Sequence, residues 1–219
     1  MVVKVLPLAG SERFESLGHN CEVGFVLEAA GNGNSGMFRW LSTSLEATTV
    51  AIRRDFEGFF AFENLVPHAP DMVRDVVYDI AFHSRMHSAR AGENLTFVLP
   101  EEERRPLYEA EAGKIKYFYK RFHESLSDER TIFVLKESRN PDPQAIMALW
   151  QLLSGKAGRP VRLLWVKPAG QEGRAATVQP VTEHILCGYV SSFAPHSKAD
   201  AFAAEDWRSL LAQTLEHFS

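Results

Sequence analysis

Short apolar runs alternate with stretches of helical periodicity along most of the chain. Phe14 to Leu17 predicts a brief strand, and Gly18 to Asn20 a turn. Val23, Val26, Leu27 and Ala30 then recur at i, i+3, i+4 and i+7, the spacing of a helix with one packed face. Asn20 stands where an N-cap is expected, which puts Cys21 at the first helical position. The turn GNGNSG (Gly31 to Gly36) leads into MFRWL. In TSLE (Thr43 to Glu46) the spacing predicts a capping box with Thr43 as the cap, opening a helix through about Asp55 with Leu45 and Ile52 inward. Phe56, Phe59, Phe60 and Phe62 form a dense aromatic group, expected to plug a core or a subdomain contact.

Val76 to Ser84 is rich in β-formers and predicts one strand, and LTFVL another short one. A long helix is expected from about Arg105 to Leu126, with Ile115, Phe118, Tyr119, Phe122 and Leu126 at helical spacing. Thr131 to Glu137 (TIFVLKE) is a nearly continuous apolar run, as in strands covered on both faces. Asp142 and Pro143 fit the N-cap and N1 of a helix with Ile146, Leu149, Trp150 and Leu153 inward. VRLLWVKP and HILCGYVSSF predict two more buried strands, and a helix with Trp207, Leu210, Leu211 and Leu215 inward closes the chain. Strands alternating with helices give the expected fold: α/β and layered, a largely parallel sheet with helices on both faces, a single domain over 1–219. Positions about 56–100 could form a small subdomain or insertion. In such sheets ligands bind beyond the carboxyl ends of the strands, where Cys21 would lie.

Composition narrows the function classes. A chain of 219 residues, 45% hydrophobic and 24% charged, can bury one sizeable core. The net charge of −4 and interspersed bases give no footprint for nucleic acid, and the bases of Lys114 to Arg121 read as a solvated helix face. No apolar run reaches the roughly 18 residues of a membrane span. MVVKVLPLAGSERF has too short an apolar region for a secretory signal, so a cytoplasmic location is expected. The two cysteines, Cys21 and Cys187, do not make a disulfide framework and are expected as reduced thiols. No cofactor is expected. GNGNSG lacks a preceding strand and a following Lys-Ser/Thr, and no G-x-S-x-G elbow is present. His83 and His87 have the i, i+4 spacing of a shared metal site, but no third ligand follows at motif spacing, so no metal is expected either.

The candidate chemistry begins at Cys21. A thiolate at a helix N-terminus is stabilised by free amides and the helix dipole, which predicts a lowered pKa. Glu22 works against this as a neighbouring negative charge. The Cys21 amide and the Asn20 side chain could form an oxyanion hole. Cys187, inside an apolar strand, reads as packing. His83, at the end of a strand, is the best candidate for the base. His19 stands two residues from Cys21 around a tight turn that would point the side chains apart, and with Arg39 and Trp40 it is placed among the substrate-binding positions. The orienting third group is open. Asp79 would share a face with His83 on an extended strand but stand about 13 Å away, and spacing favours neither Asp71 nor Asp75.

SLGHNCEVGFVL (Ser16 to Leu27), FRWLSTSLEA (Phe38 to Ala47) and Y-x-I-x-F-H (Tyr78 to His83) resemble an uncharacterised bacterial family of papain-like cysteine peptidases. Relatives in that family accompany sugar-transfer domains, so the resemblance implies work on surface polysaccharide. IFVLKES, LLWVKP and GYVSSFAP are similar to a subgroup of it. It implies Cys21 as nucleophile and His83 as base. Arg39 stands where the family pattern has an acid between Phe38 and Trp40, and Ser84 where it has an aspartate after the histidine. The expectation is a thiol-dependent hydrolase or acyl transferase acting on a small-molecule, peptide or glycan substrate. The alternative is a non-enzymatic carbohydrate- or protein-binding module of bacterial envelope polysaccharide synthesis, with Arg39, Trp40 and Gly31 to Gly36 lining its cleft. A sugar-nucleotide-handling domain is a third reading, by analogy alone.

Overall fold

The computed structural model describes residues 6–137, 142–170 and 174–219. The first five residues, part of the stretch weighed above as a signal, lie outside these. The chain forms β1 (Phe14–Ser16), α1 (Glu22–Ala29), β2 (Leu41–Ser42), α2 (Leu45–Arg53), β3 (Leu65–Ala69), β4 (Met72–Asp75), β5 (Ile80–His83), β6 (Ser88–Ala91) and β7 (Asn94–Phe97). There follow α3 (Glu101–Ser127), β8 (Ile132–Lys136), α4 (Pro143–Ala157), β9 (Arg162–Pro168), β10 (Thr177–Pro180), β11 (Ile185–Val190) and α5 (Ala204–His217). Among the described residues no helix is long and apolar enough to cross a membrane.

The protein is a mixed α/β structure with a partly parallel sheet. Five strands run in the order β1-β8-β9-β11-β10, with β1, β8, β9 and β11 parallel and β10 antiparallel at the edge. Every residue of β8 and of β11 is buried, which explains why these runs read as continuously apolar. Alternate residues part company. Ile132, Val134, Leu164 and Val166 join a cluster with Val23 and Leu27 of α1 and Trp207 and Leu211 of α5. Phe133, Leu135, Leu163 and Cys187 join a second cluster with Ile52 of α2, Phe122 of α3 and Leu149 of α4. The period of two along a strand produces this division.

The sequence pattern did not predict the second sheet. β2-β5-β4-β3 is four-stranded and antiparallel, and β6-β7 is a separate hairpin. Only the end of the predicted Val76–Ser84 strand is extended. The Asp75 carboxylate accepts hydrogen bonds from the amides of Val77 and Tyr78 (2.9 and 3.2 Å), folding that segment into a turn. Asp79 then has a left-handed φ of 57°. The second sheet joins the larger core through Leu41, Leu65, Val73, Ile80 and Phe82, and the aromatic group contributes buried Phe56 and Phe60.

The starts of α2 and α3 differ from the pattern. Thr43 is not the cap of α2. Its amide donates to the His19 carbonyl (3.1 Å), its hydroxyl lies beside that of Thr48, and Ser44 caps the helix by accepting from the Ala47 amide at 3.1 Å. The long helix α3 begins four residues before Arg105. Glu101, Glu102 and Glu103 fill its first turn, where carboxylates complement the helix dipole, and Pro106 lies inside it.

Candidate active site

Cys21 lies just past β1, at the N-cap of α1, with φ −69° and ψ −4°. The turn before it is tight. Gly18 has φ 95°, and a Cβ there would come within 2.4 Å of the Thr43 methyl. His19 holds φ 90°, a left-handed conformation that costs a non-glycine residue roughly 1–3 kcal/mol. The N-cap is thus Cys21 and not Asn20 as the spacing predicts; Asn20, one position earlier, still accepts from the Glu22 amide at 3.1 Å and so satisfies one free donor of the helix start. Gly24 also excludes a side chain, because a Cβ would meet the Arg39 carbonyl at 2.7 Å.

His83 arrives from the other sheet. It is the last residue of β5, and Met72 at the start of β4 is its antiparallel partner. Asp71, one residue earlier, therefore lies beside it, and the Ser84 amide donates to the Asp71 carbonyl at 2.9 Å. β2 joins the two regions. It pairs with β5 through Leu41–Phe82 and Ser42–Ala81, and Thr43 just beyond it bonds the His19 carbonyl. The result is a chain of contacts: Cys21 Sγ lies 3.8 Å from His83 Nε2, and His83 Nδ1 lies 3.3 Å from Asp71 Oδ2. Thiol, imidazole and carboxylate are thus within or near hydrogen-bonding reach of one another, at the loose end of the range for an unliganded site.

Beneath the sulfur lies a buried ion pair. Lys136, the last residue of β8, is 1% exposed and donates to Glu22 Oε2 (2.5 Å) and Asn20 Oδ1 (2.9 Å). Glu22, at 0% exposure, also accepts from the Ala194 amide (3.1 Å) and the Trp207 indole (3.0 Å). This alters the expected electrostatics of Cys21. The Glu22 charge is neutralised inside the core. Burial pushes the Cys21 thiol up from its ordinary value, while the Cys21 amide and the Lys136 ammonium draw it down. Burial is the largest of these effects, so the expected lowering from the helix start does not prevail. Both groups on Asn20 Oδ1 are donors, which fixes the orientation of that amide and turns its NH2 the other way.

The remaining predicted residues separate. Trp40 and His83 line one pocket of about 370 Å³. His19 lines another of about 740 Å³ with Thr43, Glu46, Arg53 and Glu137. Arg39 is 4% exposed, and its guanidinium is spent on the carbonyls of Gly24 (3.2 Å), Asn32 (2.7 Å) and Asn34. Its expected place at a substrate is corrected to one inside the loop that backs α1, where its charge is near the Glu15 carboxylate in the core. Asp75 holds a turn, and Asp79 pairs with Arg74. His87 Nδ1 lies 3.3 Å from the Pro70 carbonyl, and among the described residues no group of three His, Cys, Asp or Glu side chains could hold a metal ion. Cys187 is buried at 3%.

Lys136 and Glu111 were missed, and Asp71 was weighed and set aside. Asp71 sits in a Pro-Asp turn between two short runs, 65–69 and 72–75, and that turn signal was available. Lys136 was readable as a lone lysine in a buried strand, which requires a partner. Glu111 of α3 had no local signal. Its carboxylate accepts from the Ser84 hydroxyl (2.8 Å) and the Arg85 amide (2.7 Å), holding the segment that follows His83. Comparisons with protein-family models, with curated proteins and with solved structures each give no match.

Proposed function

We propose that the protein is a thiol-dependent hydrolase or acyl transferase, of the kind its resemblance to papain-like cysteine peptidases implies. The carrying observation is the alignment of Cys21 Sγ, the His83 ring and the Asp71 carboxylate at 3.8 and 3.3 Å. In this reading His83 Nε2 removes the thiol proton as the sulfur attacks a carbonyl carbon, so proton removal and attack go together. The Cys21 amide and the Asn20 NH2 group hold the developing oxyanion. The carbon–nitrogen or carbon–oxygen bond then breaks, His83 delivers its proton to the leaving group, and a thioester remains. Water or an acceptor alcohol or amine attacks the thioester, gives its proton to His83 and displaces the sulfur, which recovers that proton. Asp71 keeps Nδ1 protonated and Nε2 facing the sulfur.

Polysaccharide-associated work in a bacterial cytoplasm, within one layered α/β domain carrying helices on both faces, is the setting we infer. The test is the rate of iodoacetamide alkylation of Cys21 across pH. Attachment to the site predicts a profile that His83→Ala changes. A profile of a free thiol near pH 8.5 that ignores His83→Ala removes the mechanism. A binding module for carbohydrate or protein is the second reading, favoured by the polar pocket around His19, Arg53 and Glu137. It predicts glycan or partner binding that survives Cys21→Ser.

A further inference from the structure

The pocket that His83 lines differs in chemistry from the one beside His19. Its walls are Met37, Trp40, Leu41, Phe82, Ile115 and Phe118, drawn from the α1–β2 loop, both strands of the β2–β5 pair and α3. Its inner polar groups are already satisfied. The Ser84 hydroxyl donates to Glu111, and the other Glu111 oxygen accepts from the Arg85 amide. Arg85 and Lys114 are exposed, so their charges stay in water and demand no counter-charge inside. The volume of about 370 Å³ is at the small end of ligand pockets, enough for one bulky side-chain-sized group and too small for an extended ligand. β2 separates the two pockets, with Leu41 lining this one and Thr43 the other.

From this geometry we propose that the pocket is the specificity site for a bulky, uncharged apolar group, aromatic or branched aliphatic, carried next to the carbonyl that Cys21 attacks. The substrate class is then an amide or ester of such an acyl group. Its burial against the aromatic walls supplies the selectivity, because a charge drawn past the exposed Arg85 and Lys114 to those walls loses its water and meets no buried counter-charge. This inference rests on the proposed hydrolase or acyl transferase reading, and the experiment separates the two.

With Cys21→Ser protein, N-acetylphenylalaninamide should shift the NMR resonances of the Trp40 indole N–H and the Ile115 methyls, while N-acetylglutamic acid amide should not. With the native thiol, a chloromethyl ketone bearing a benzyl group should inactivate at least about tenfold faster than one bearing a methyl. Ile115→Trp, which fills the cavity, should erase that preference. Equal shifts from both amides, no shift from either, or a preference that Ile115→Trp leaves intact would overturn the pocket's assignment. A Cys21 insensitive to His83 would overturn the catalytic reading alone, since the NMR arm does not depend on the thiol.

Discussion

The thiol and the imidazole of the proposed site are held in opposite ways. Cys21 stands on a buried foundation: Glu22 and Lys136, at 0% and 1% exposure, tie α1 to β8, to the segment at Ala194 and to Trp207 of α5. His83 and Asp71 are 53% and 62% exposed and owe their position to the β4–β5 register and to Glu111. Core electrostatics therefore fix the sulfur, whereas hairpin geometry fixes the imidazole. Damage beneath the sulfur should unfold the protein, and damage beside the imidazole should change only its chemistry.

The largest effect should come from the sulfur itself. Cys21→Ala should lower turnover to background, a loss of about 10⁴-fold or more, and remove the iodoacetamide adduct seen by mass spectrometry of the folded protein. The buried Cys187 should stay unlabelled until denaturant is added. If folded Cys21→Ala protein keeps its adduct, the reactive thiol lies elsewhere.

Next comes the ion pair. Lys136→Met strands the Glu22 carboxylate in the core and should cost about 3–5 kcal/mol in urea unfolding. Adding Glu22→Gln should recover part of that. A loss below about 1 kcal/mol for Lys136→Met would dissolve the contrast between the two regions.

A pH-dependent effect, smaller within any one pH unit, belongs to the same side. Glu15 of β1 is buried, and burial pushes its carboxyl up to about 8, against the pull of Arg39. Below pH 4.5 both folded and unfolded chains hold this proton. Between 4.5 and 8 only the folded chain does, so stability should fall by at most about 1.4 kcal/mol per pH unit as pH rises, then level off above 8. Glu15→Gln should flatten that slope in a series of thermal melts. An unchanged slope would place the titration elsewhere.

The smallest effect on stability belongs to the imidazole side of the proposed site. Asp71→Asn should leave unfolding within about 1 kcal/mol of the native protein, since exposed pairs contribute little. It should still slow Cys21 acylation by about ten- to a hundredfold, less than losing the base outright. A stability loss as large as that of Lys136→Met would make Asp71 a structural residue.

Much of this was legible in local pattern. The strands of the parallel sheet announced themselves as continuous apolar runs, because burial on both faces leaves no room for polar alternation. Cys21 at a helix start and His83 at a strand end followed from capping and strand signals. Arg39 was misplaced because its charge suggested a surface, whereas the carbonyls of Gly24, Asn32 and Asn34, with Glu15, draw it inward. The pKa direction at Cys21 was misjudged because the helix start is a local feature and burial is not.

The residues alone determined which segments could be strands or helices, and which thiol and imidazole stood at their ends, because those properties depend on neighbours a few positions away. Only the folded chain decided that Asp71 meets His83, that Lys136 meets Glu22 and that β2 joins the two sheets at the turn before Cys21. Each of these links residues far apart in the chain, and strand register and shared burial, which no local window contains, select the partner.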